Sequence, residues 1–329
     1  MKSPHADPAR HLSFRLLYLL GAAVVFPAAA LSLLALLAER WWLADLFVHF
    51  RLQYLVIGLL GILMMAALRQ PGAMVAGLVA FALNLGPAVA YFAPAPAPAG
   101  PAPGARIDSF RIAAVNIFYR NTNYQAVIDW IRRESPDVVV LVEATPRWRE
   151  ALRDKLPDYP FAHLVAKSGR SGKLVLSRIE PDSLLAVDPK AERSPVPIVT
   201  VRKNGVALGI AGVHTEWPMG EERTARRDRE IRDLARYMRA VKIPMLAVGD
   251  LNLTPFSPRL QSTLDAAGLY RAAAGRGWLP TWPVFFQPAG IQIDHALFTD
   301  GIRIDDLRMG AGLGSDHRWQ VIDLHAWQR

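Results

Sequence analysis

Three long apolar segments near the start of the chain constrain its fold more than any other feature of the sequence. They cover residues 16–38, 52–68 and 72–93, and none of them contains a charged side chain. Each has roughly the length that a helix needs to cross a bilayer core of ~30 Å. Pro27 and Pro87 lie inside the first and third segments, and membrane helices tolerate proline better than soluble helices do. The sequence therefore predicts a membrane anchor of three transmembrane helices over residues 1–93.

Other interpretations of these segments are a cleaved signal peptide and the helical core of a soluble protein. Residues 27–30 read Pro-Ala-Ala-Ala and resemble a cleavage site. The apolar run continues for eight residues beyond them, which is too long for a signal-peptide core. A buried core formed by all three segments is the least favoured interpretation. Trp41 and Trp42 follow the first segment, where an interfacial aromatic belt is expected.

The positive charges that flank the segments predict an orientation. With a cytoplasmic N-terminus, four basic residues would lie inside and two outside: Lys2, Arg10, Arg15 and Arg69 against Arg40 and Arg51. This bias favours the arrangement in which the N-terminus is cytoplasmic. Three spans then place everything after residue 93 on the extracytoplasmic side of the membrane.

Composition limits the chemistry of the rest of the chain. The net charge is +9, from 38 basic and 29 acidic residues, and +6 of it falls on the residues from 106 onward. Such a surface tolerates nucleic acids and anionic lipid headgroups alike. The chain has no cysteine, so disulfides, thiolate nucleophiles and cysteine-bound metals are excluded.

A Pro/Ala-rich segment, residues 94–105, separates the apolar region from the remainder. Alternate prolines lack the N–H that a helix or sheet requires. We expect an extended polyproline-type spacer at ~3.1 Å per residue, on the order of 35 Å long. It would hold a C-terminal domain, residues 106–329, just off the bilayer.

From residue 106 the pattern changes to short β-branched runs that alternate with helical stretches. Helices are predicted over residues 124–133 and 221–241. Strands are predicted over residues 110–116, 137–143, 173–177, 197–202, 206–214, 244–250, 291–298 and 320–324. This interleaving predicts mixed sheets covered by helices, an α/β or α+β sandwich.

Polar residues stand repeatedly where these apolar strands end. Asn116, Glu143, His214 and Asp250 each fall at the carboxyl end of a predicted strand. Ligand chemistry in α/β sheets gathers at such ends, and packing alone does not explain buried strands that end in polar residues. We therefore expect these four side chains to converge.

The residue types fit metal-assisted hydrolysis of a phosphate ester. Hard Mg²⁺ prefers carboxylate and water ligands, and Glu143 is the best first ligand. Asp250 could orient or deprotonate the attacking water, and the amide of Asn252 could donate to a phosphate oxygen. Asp316 and His317 place a second carboxylate beside an imidazole, and Asp294 could hold the ring of His317.

Taken in order, these residues resemble the endonuclease/exonuclease/phosphatase superfamily over residues 108–326. Its motifs are matched by Val115-Asn116, Glu143, Leu176-Ser177-Arg178, Gly212-Val213-His214-Thr215, Gly249-Asp250-Leu251-Asn252, Ile293-Asp294-His295 and Ser315-Asp316-His317. The resemblance implies a four-layer αββα sandwich with Mg²⁺ or Mn²⁺ as cofactor.

The same resemblance implies roles for the matched residues. Asp250 would activate water, Asn252 and His214 would contact phosphate, and Asp294 would orient His317. The cation would lie among Glu143, Asp316 and Asn116. The three spans and Thr281-Trp282-Pro283 resemble a bacterial membrane-bound subgroup that includes a teicoplanin-resistance membrane protein.

Some neighbouring residues are interpreted as structural. His295 adjoins Asp294 and should point to the opposite face. The helical cluster of Arg223, Arg226, Arg227 and Arg229 is expected to be a solvated face, with a phosphate-contacting arginine as the alternative.

The leading hypothesis is a membrane-anchored, Mg²⁺-dependent phosphoesterase that acts on a lipid-linked phosphate. One alternative is a membrane-tethered nuclease on extracytoplasmic DNA or RNA, and another is a non-catalytic binding module. The sequence leaves the oligomeric state and the number of metal ions open.

Overall fold

The computed structural model describes residues 8–94, 98–166, 171–187 and 195–328, and side chains from residue 12 onward. The chain divides into two compact units. The first contains the N-terminal helices through Phe92 together with Phe256–Pro258, and the second contains the remaining residues from Ala93 onward.

The first unit is helical. Its helices are α1 (Pro8–Leu34), α2 (Trp42–Val48), α3 (Arg51–Ala67) and α4 (Pro71–Phe92). The α2 helix was not predicted, and α1 ends earlier than expected because residues 35–37 tighten into a 3₁₀ turn. Two helices are long and apolar enough to cross a membrane, over Leu12–Leu37 and Pro71–Phe92. A third span is counted only if α2 and α3, bent by 63° at their junction, act as one.

Small and polar residues hold the helices of this unit together. A Cβ on Gly58 of α3 would lie 2.5 Å from the backbone nitrogen of Phe81 on α4, so glycine permits this close approach. Asn84 donates through Nδ2 to Ser32 Oγ at 2.8 Å, and Arg51 donates to Asn84 Oδ1 at 3.2 Å. Three buried polar side chains, Ser32, Asn84 and Arg51, are therefore linked across α1, α3 and α4.

The second unit contains two six-stranded sheets. The twelve strands in chain order are β1 (Ile107–Asn116), β2 (Val138–Ala144), β3 (Phe161–Val165), β4 (Gly172–Ser177), β5 (Pro181–Val187), β6 (Val196–Lys203), β7 (Val206–His214), β8 (Met245–Asp250), β9 (Tyr270–Arg271), β10 (Asp294–Phe298), β11 (Ile302–Met309) and β12 (Gln320–Trp327). The first sheet has the order β11-β12-β1-β2-β4-β3, and the second has the order β5-β6-β7-β8-β10-β9.

Helices cover the outer faces of both sheets. They are α5 (Tyr124–Glu134), α6 (Pro146–Arg153), α7 (Glu221–Ala240) and α8 (Pro258–Ala267). One apolar core lies between the sheets and includes Ile112, Val140, Leu208 and Leu246. Trp130 and Trp148 join α5 and α6 to the outer face of the first sheet, and Ile231 and Leu260 join α7 and α8 to that of the second. The predicted α+β sandwich with two sheets flanked by helices is confirmed.

Two segment predictions need correction. The strand predicted over residues 291–298 begins only at Asp294, because Ile291 bonds instead to Trp282 in an isolated bridge. The spacer over residues 94–105 is not extended to its end, because the Ala105 N–H donates to the Ala102 carbonyl at 3.0 Å and closes a turn. Residues 95–97 of that prediction lie outside the described residues.

Candidate active site

The predicted site residues meet where parallel strands end. β1 and β2 are parallel, as are β7 and β8, so the carboxyl ends of each pair lie at one edge of their sheet. His214 is in register with Asp250 across β7 and β8, and Asp294 faces Asp250 from the antiparallel β10. Strand register alone therefore brings three of the predicted residues together in the second sheet.

Asn116 connects the two sheets. Its Nδ2 donates to Glu143 Oε1 at 3.0 Å and to Asp250 Oδ2 at 3.1 Å. Its Oδ1 accepts from the Phe118 N–H at 3.0 Å. The opposite orientation of the amide would place its oxygen against two carboxylates, so the partners define which atom is the nitrogen. Asn116 thus holds the two acidic side chains at one point.

The backbone holds Glu143 in an uncommon conformation. Glu143 has φ +61°, in the left-handed region that non-glycine residues rarely adopt. Its Oε2 accepts from the Tyr119 N–H at 3.0 Å, and His214 Nε2 lies 3.6 Å from its Oε1. Strained residues persist where the surroundings fix them, and they cluster at functional sites.

Asp250 is buried beside a second carboxylate. Its Oδ1 accepts from the Asn252 N–H at 2.8 Å. Burial, followed by the charge of Asp294, raises the pKa of Asp250 to about 7, although His317 and the hydrogen bonds act in the opposite direction. A carboxylate of this pKa can exchange a proton near neutral pH.

His317 and Asp294 form a buried pair behind Asp250. His317 Nδ1 lies 2.8 Å from Asp294 Oδ2, and His317 Nε2 lies 3.8 Å from Asp250 Oδ2. Burial lowers the pKa of His317, but the adjacent carboxylates, with Asp294 foremost, raise it to a net value of about 10. The pKa of Asp294 is lowered, because the charge and hydrogen bond of His317 outweigh its own burial. His317 is therefore a cation at neutral pH.

Two sets of side chains could hold a metal ion. Ligand atoms of Asp250, Asp294 and His317 lie within 4.8 Å of one another. Asp294 Oδ1 of this set is buried without a hydrogen-bond partner among the described residues, but His317 lies between the two carboxylates as an imidazolium, and a cation there would have to displace its proton. Asp316, the predicted ligand, also has a buried Oδ1 without a hydrogen-bond partner, but among the described residues neither Asp316 nor Glu143 belongs to a group of three ligand residues with this spacing. An orphaned carboxylate oxygen, together with Glu143, matches the ligands that a hard divalent cation prefers.

The Gly-Asp-Leu-Asn segment is shaped by its first and last residues. Gly249 has φ +135°, and a Cβ there would lie 2.0 Å from the Val213 carbonyl oxygen. Only glycine fits this position. Asn252 has φ +49°, and its Nδ2 donates to the Thr215 carbonyl at 3.1 Å. Because a primary amide carries two N–H groups, the second remains for a substrate oxygen.

Arg227 corrects the prediction of a solvated arginine face. It is fully buried, and its Nε and Nη2 donate to Asp228 Oδ1 at 3.0 and 2.8 Å. Its Nη1 donates to the Asn252 carbonyl at 3.4 Å, while Arg259 completes the cluster by donating to Asp228 Oδ2 at 2.6 Å. Arg227 therefore braces the Gly-Asp-Leu-Asn segment, whereas Arg229 is exposed as expected.

Sequence reasoning missed several contacts that orient the site. Trp282 Nε1 donates to Asp316 Oδ2 at 2.8 Å, and Ser315 Oγ donates to the Asn116 carbonyl at 2.7 Å. Thr281 Oγ1 accepts from the Asp294 N–H at 3.0 Å. Thr281 and Trp282 belong to the Thr-Trp-Pro motif, which the sequence singled out without giving it a role. His295 points to the Leu253 carbonyl at 2.8 Å, and burial lowers its pKa to about 4.

Comparison with known proteins agrees with this geometry. The sequence model of the Endonuclease/Exonuclease/phosphatase family matches residues 113–317. No curated protein matches the sequence significantly.

Solved structures share the fold at low identity. A humanized TDP2 of D. rerio has a TM-score of 0.56 and 15% identity, covering 66% of this chain and 98% of that one. An endonuclease/exonuclease/phosphatase from Bacteroides vulgatus has a TM-score of 0.55 and 20% identity, with the same two coverages. One from Beutenbergia cavernae has a TM-score of 0.52 and 19% identity, covering 66% of this chain and 72% of that one.

Proposed function

Because the chain belongs to the endonuclease/exonuclease/phosphatase family, we propose that it is a membrane-anchored, Mg²⁺-dependent phosphoesterase that hydrolyses a lipid-linked phosphate. Members of the family are metal-dependent phosphoesterases and nucleases, so the general class of reaction is that of the family. The anchor, the metal and the substrate are the parts that we propose.

One observation carries the catalytic part of the proposal. The amide of Asn116 joins Glu143 to Asp250 across two separate sheets, with both N···O distances near 3 Å. No Lys or Arg nitrogen lies within 4.0 Å of either carboxylate in the described part of the chain. The imidazolium of His317, 3.8 Å from Asp250, is the nearest positive charge, and acidic groups held together in this way favour the binding of a divalent cation.

We assign Glu143 and Asp316, with Asn116 beside them, to the cation. When bound, the ion would neutralise charge on the phosphoryl oxygens of the substrate. The Asn116 amide nitrogen donates to the carboxylates of Glu143 and Asp250, so it supports Glu143 directly. A role of its oxygen as a ligand would require release of the Phe118 N–H.

Asp250 is the group that we assign to the attacking water. The N–H of Asn252 and the amide of Asn116 fix its two oxygens, so the carboxylate has a defined direction. With a pKa of about 7, Asp250 accepts a proton more readily than an exposed aspartate does. The proton moves from water to a carboxylate oxygen of Asp250 as the water oxygen attacks phosphorus. The bond between phosphorus and the leaving oxygen then breaks, and the leaving group takes up a proton and departs as an alcohol or a phosphate.

The remaining polar residues would bind the phosphate. His317 is held as an imidazolium by Asp294, and its Nε2–H points to the Asp250 side of the site. A fixed cation at this position stabilises negative charge that develops on the phosphoryl oxygens. His214 and Asn252 supply further donors at the ends of β7 and β8, as the sequence predicts.

The proposed substrate follows from the N-terminal region. Two helices of the chain satisfy the length and hydropathy needed to cross a bilayer. An anchored enzyme meets lipid substrates at high effective concentration. The flanking charges favour an extracytoplasmic site, and relation to the membrane-bound, teicoplanin-resistance-like subgroup stays a prediction.

A nuclease is the second candidate. The structure of D. rerio TDP2 in complex with a single-strand DNA product is among those that share this fold. The net charge of the chain also tolerates nucleic acid.

A direct test uses the full-length protein reconstituted in nanodiscs. Release of phosphate or alcohol from undecaprenyl pyrophosphate, phosphoinositides, sphingomyelin, DNA and RNA would be measured with Mg²⁺, with Mn²⁺ and with EDTA. Turnover of a lipid phosphate that EDTA abolishes and Mg²⁺ restores would support the proposal. Efficient cleavage of DNA without any lipid turnover would replace it with the nuclease, and full metal-independent activity would contradict it.

A further inference from the structure

Large apolar side chains stand exposed on three segments that border the site. Phe285 is 80% exposed and Trp217 is 60% exposed, which is unusual for side chains of this size. Tyr119, Met219 and Phe286 are also exposed. We call these five residues the aromatic rim.

Each segment of the aromatic rim is tied to a residue of the site. Tyr119 donates its own N–H to Glu143. Phe285 follows Val284, whose N–H donates to the Asp316 carbonyl at 2.8 Å. Trp217 lies three residues beyond His214, so its Cα is within about 11 Å of that residue at 3.8 Å per step. Each segment of the aromatic rim is therefore close to a residue of the site.

The turn that carries Trp217 and Met219 is held in place. The Met219 N–H donates to the Trp217 carbonyl at 2.9 Å, and Thr224 Oγ1 of α7 donates to the Pro218 carbonyl at 3.3 Å. The exposed side chains therefore belong to a turn with defined hydrogen bonds. A turn of this kind presents apolar groups to a partner outside the protein.

We propose that the aromatic rim inserts into the headgroup region of the bilayer and positions the site over the phosphate of a membrane lipid. This inference rests on the proposed function and specifies how the substrate is reached. Trp and Tyr partition to the interface through an apolar ring with a polar tip, and Phe and Met enter the acyl boundary. Arg120, 5.2 Å from the Tyr119 ring centroid, complements a lipid phosphate.

The same surface is poorly suited to a nucleic-acid strand. Strand binding combines stacking rings with a track of cations along the phosphates. Two arginines of α7, the helix that follows this turn, lie near acids of the chain: Arg223 is 3.9 Å from Glu216, and Arg226 is 3.7 Å from Glu222. Met219 and Phe286 also lack any polar group for reading a base or a sugar.

The first test uses the absence of cysteine from the chain, which allows a label to be attached at one chosen position. A single cysteine in place of Phe285 or Trp217 in the full-length protein can carry an environment-sensitive fluorophore without background labelling. Leu185→Cys is the matched control, because Leu185 is a large exposed apolar residue on the edge strand β5. In nanodiscs with doxyl-labelled lipids, we expect strong quenching at positions 285 and 217 and little at 185. Equal quenching at all three positions, or none at 285 and 217, would overturn the inference.

The second test separates docking from chemistry. The variant Trp217→Ser/Phe285→Ser should lose at least tenfold of its turnover of bilayer lipid phosphate, and its Mg²⁺-dependent hydrolysis of soluble bis(4-nitrophenyl) phosphate should stay within twofold. The control Leu184→Ser/Leu185→Ser should retain both activities. Equal loss on both substrates, no loss, or a selective loss of single-strand DNA cleavage would each refute membrane docking.

The two proposals fail in distinguishable ways. If the wild-type protein hydrolyses neither probe with Mg²⁺, the proposed function fails, and the quenching measurement still reports whether the rim enters the bilayer. If the soluble probe is hydrolysed and the labels at positions 285 and 217 remain unquenched, the function stands and the rim has no membrane role.

Discussion

The two ends of the β-sandwich carry acidic residues in contrasting surroundings. Near the amino end of β2, three carboxylates meet basic side chains. Arg111 pairs with Asp323 at 2.6 Å, Lys203 pairs with Asp137 at 2.7 Å, and Arg308 pairs with Glu134 at 2.6 Å. At the carboxyl end, Glu143 and Asp250 meet amides and imidazoles instead.

We propose that this difference separates acids that form structural ion pairs from the acids of the candidate site. In the half-exposed pairs at the amino end, each acidic side chain is neutralised by its basic partner. These acids therefore do not need a bound cation. At the carboxyl end, burial and the neighbouring Asp294 raise the pKa of Asp250, which is a cost to stability that an arginine partner would remove. Proteins retain such costs where chemistry requires them. The contrast predicts that substitutions at the two ends affect different properties.

The largest effect is expected for Asp250→Asn. The amide keeps the size of the side chain but cannot accept a proton from water, so kcat should fall by ~10²- to 10⁴-fold. The measurement is steady-state turnover of the best substrate at saturating Mg²⁺. Activity within threefold of wild type would remove Asp250 from its assigned role.

The same variant should change stability in the favourable direction. Above pH ~7 the folded state carries a buried charge at Asp250, and the unfolded state carries it in water, so the neutral amide relieves the cost. Thermal unfolding in the absence of metal should show Asp250→Asn to be more stable than wild type at pH 8. The difference should shrink as pH falls below 7.

Glu143→Gln should alter the metal requirement. Loss of a ligand carboxylate should raise the Mg²⁺ concentration for half-maximal activity by more than the ~10- to 100-fold typical of a residue that only supports a ligand. A Mg²⁺ titration of activity, with Mn²⁺ as a second metal, measures this shift. An unchanged titration midpoint would place the cation elsewhere, for example on the Asp250–Asp294–His317 set.

The pH dependence of kcat/KM should show a smaller effect, and its direction follows from the raised pKa of Asp250. Asp250 must lose its proton to act as a base, so kcat/KM should rise as pH increases through about 7, by roughly tenfold per unit on the acid side. A bound cation stabilises the ionised carboxylate. The rise in kcat/KM should therefore move to lower pH as the Mg²⁺ concentration is increased. His317, with a pKa of about 10, should stay charged across the range. A flat profile between pH 5 and 8 would contradict the assignment.

The sequence predicted the fold where hydrophobic pattern and strand length agree. β7 matches its predicted range, and β1, β2 and β8 differ by at most three residues at either end, because each is a buried apolar run ending in a polar residue. β3, β5, β9 and β11 were missed. They are the edge strands of the two sheets, and their half-exposed residues show no clear alternation.

The sequence was enough to predict which residues form the candidate site, but not which of them contact one another. Motif order identified Asn116, Glu143, Asp250 and His317, yet only the fold shows that Asn116 bridges two acids. Arg227 was misassigned because helical periodicity does not reveal that a long side chain folds back onto its own Asp228. A residue supports a ligand when the tertiary fold brings the two side chains together. The spacing of residues along the sequence does not show these contacts.

Trp282→Phe tests one of those missed contacts. Phenylalanine keeps an aromatic ring but removes the N–H that orients Asp316, so the Mg²⁺ midpoint should rise roughly tenfold while kcat at saturating Mg²⁺ changes little. This split distinguishes a positioning role from a structural one, which would lower kcat and thermal stability together. Trp278→Phe, at an exposed tryptophan of the same loop region, is the matched control.

The smallest effect is expected at the opposite end of the sandwich, for Asp323→Asn. Arg111 donates to both oxygens of Asp323, but the pair is partly exposed, with side-chain exposures of 42% and 25%. Water screens such a pair, so its loss should lower the free energy of unfolding by at most ~1 kcal/mol. Activity and the Mg²⁺ midpoint should stay within twofold of wild type, measured beside Asp250→Asn in the same preparation. A large loss of activity here would mean that the two ends are coupled, and that acidic residues paired with arginine also contribute to catalysis in this fold.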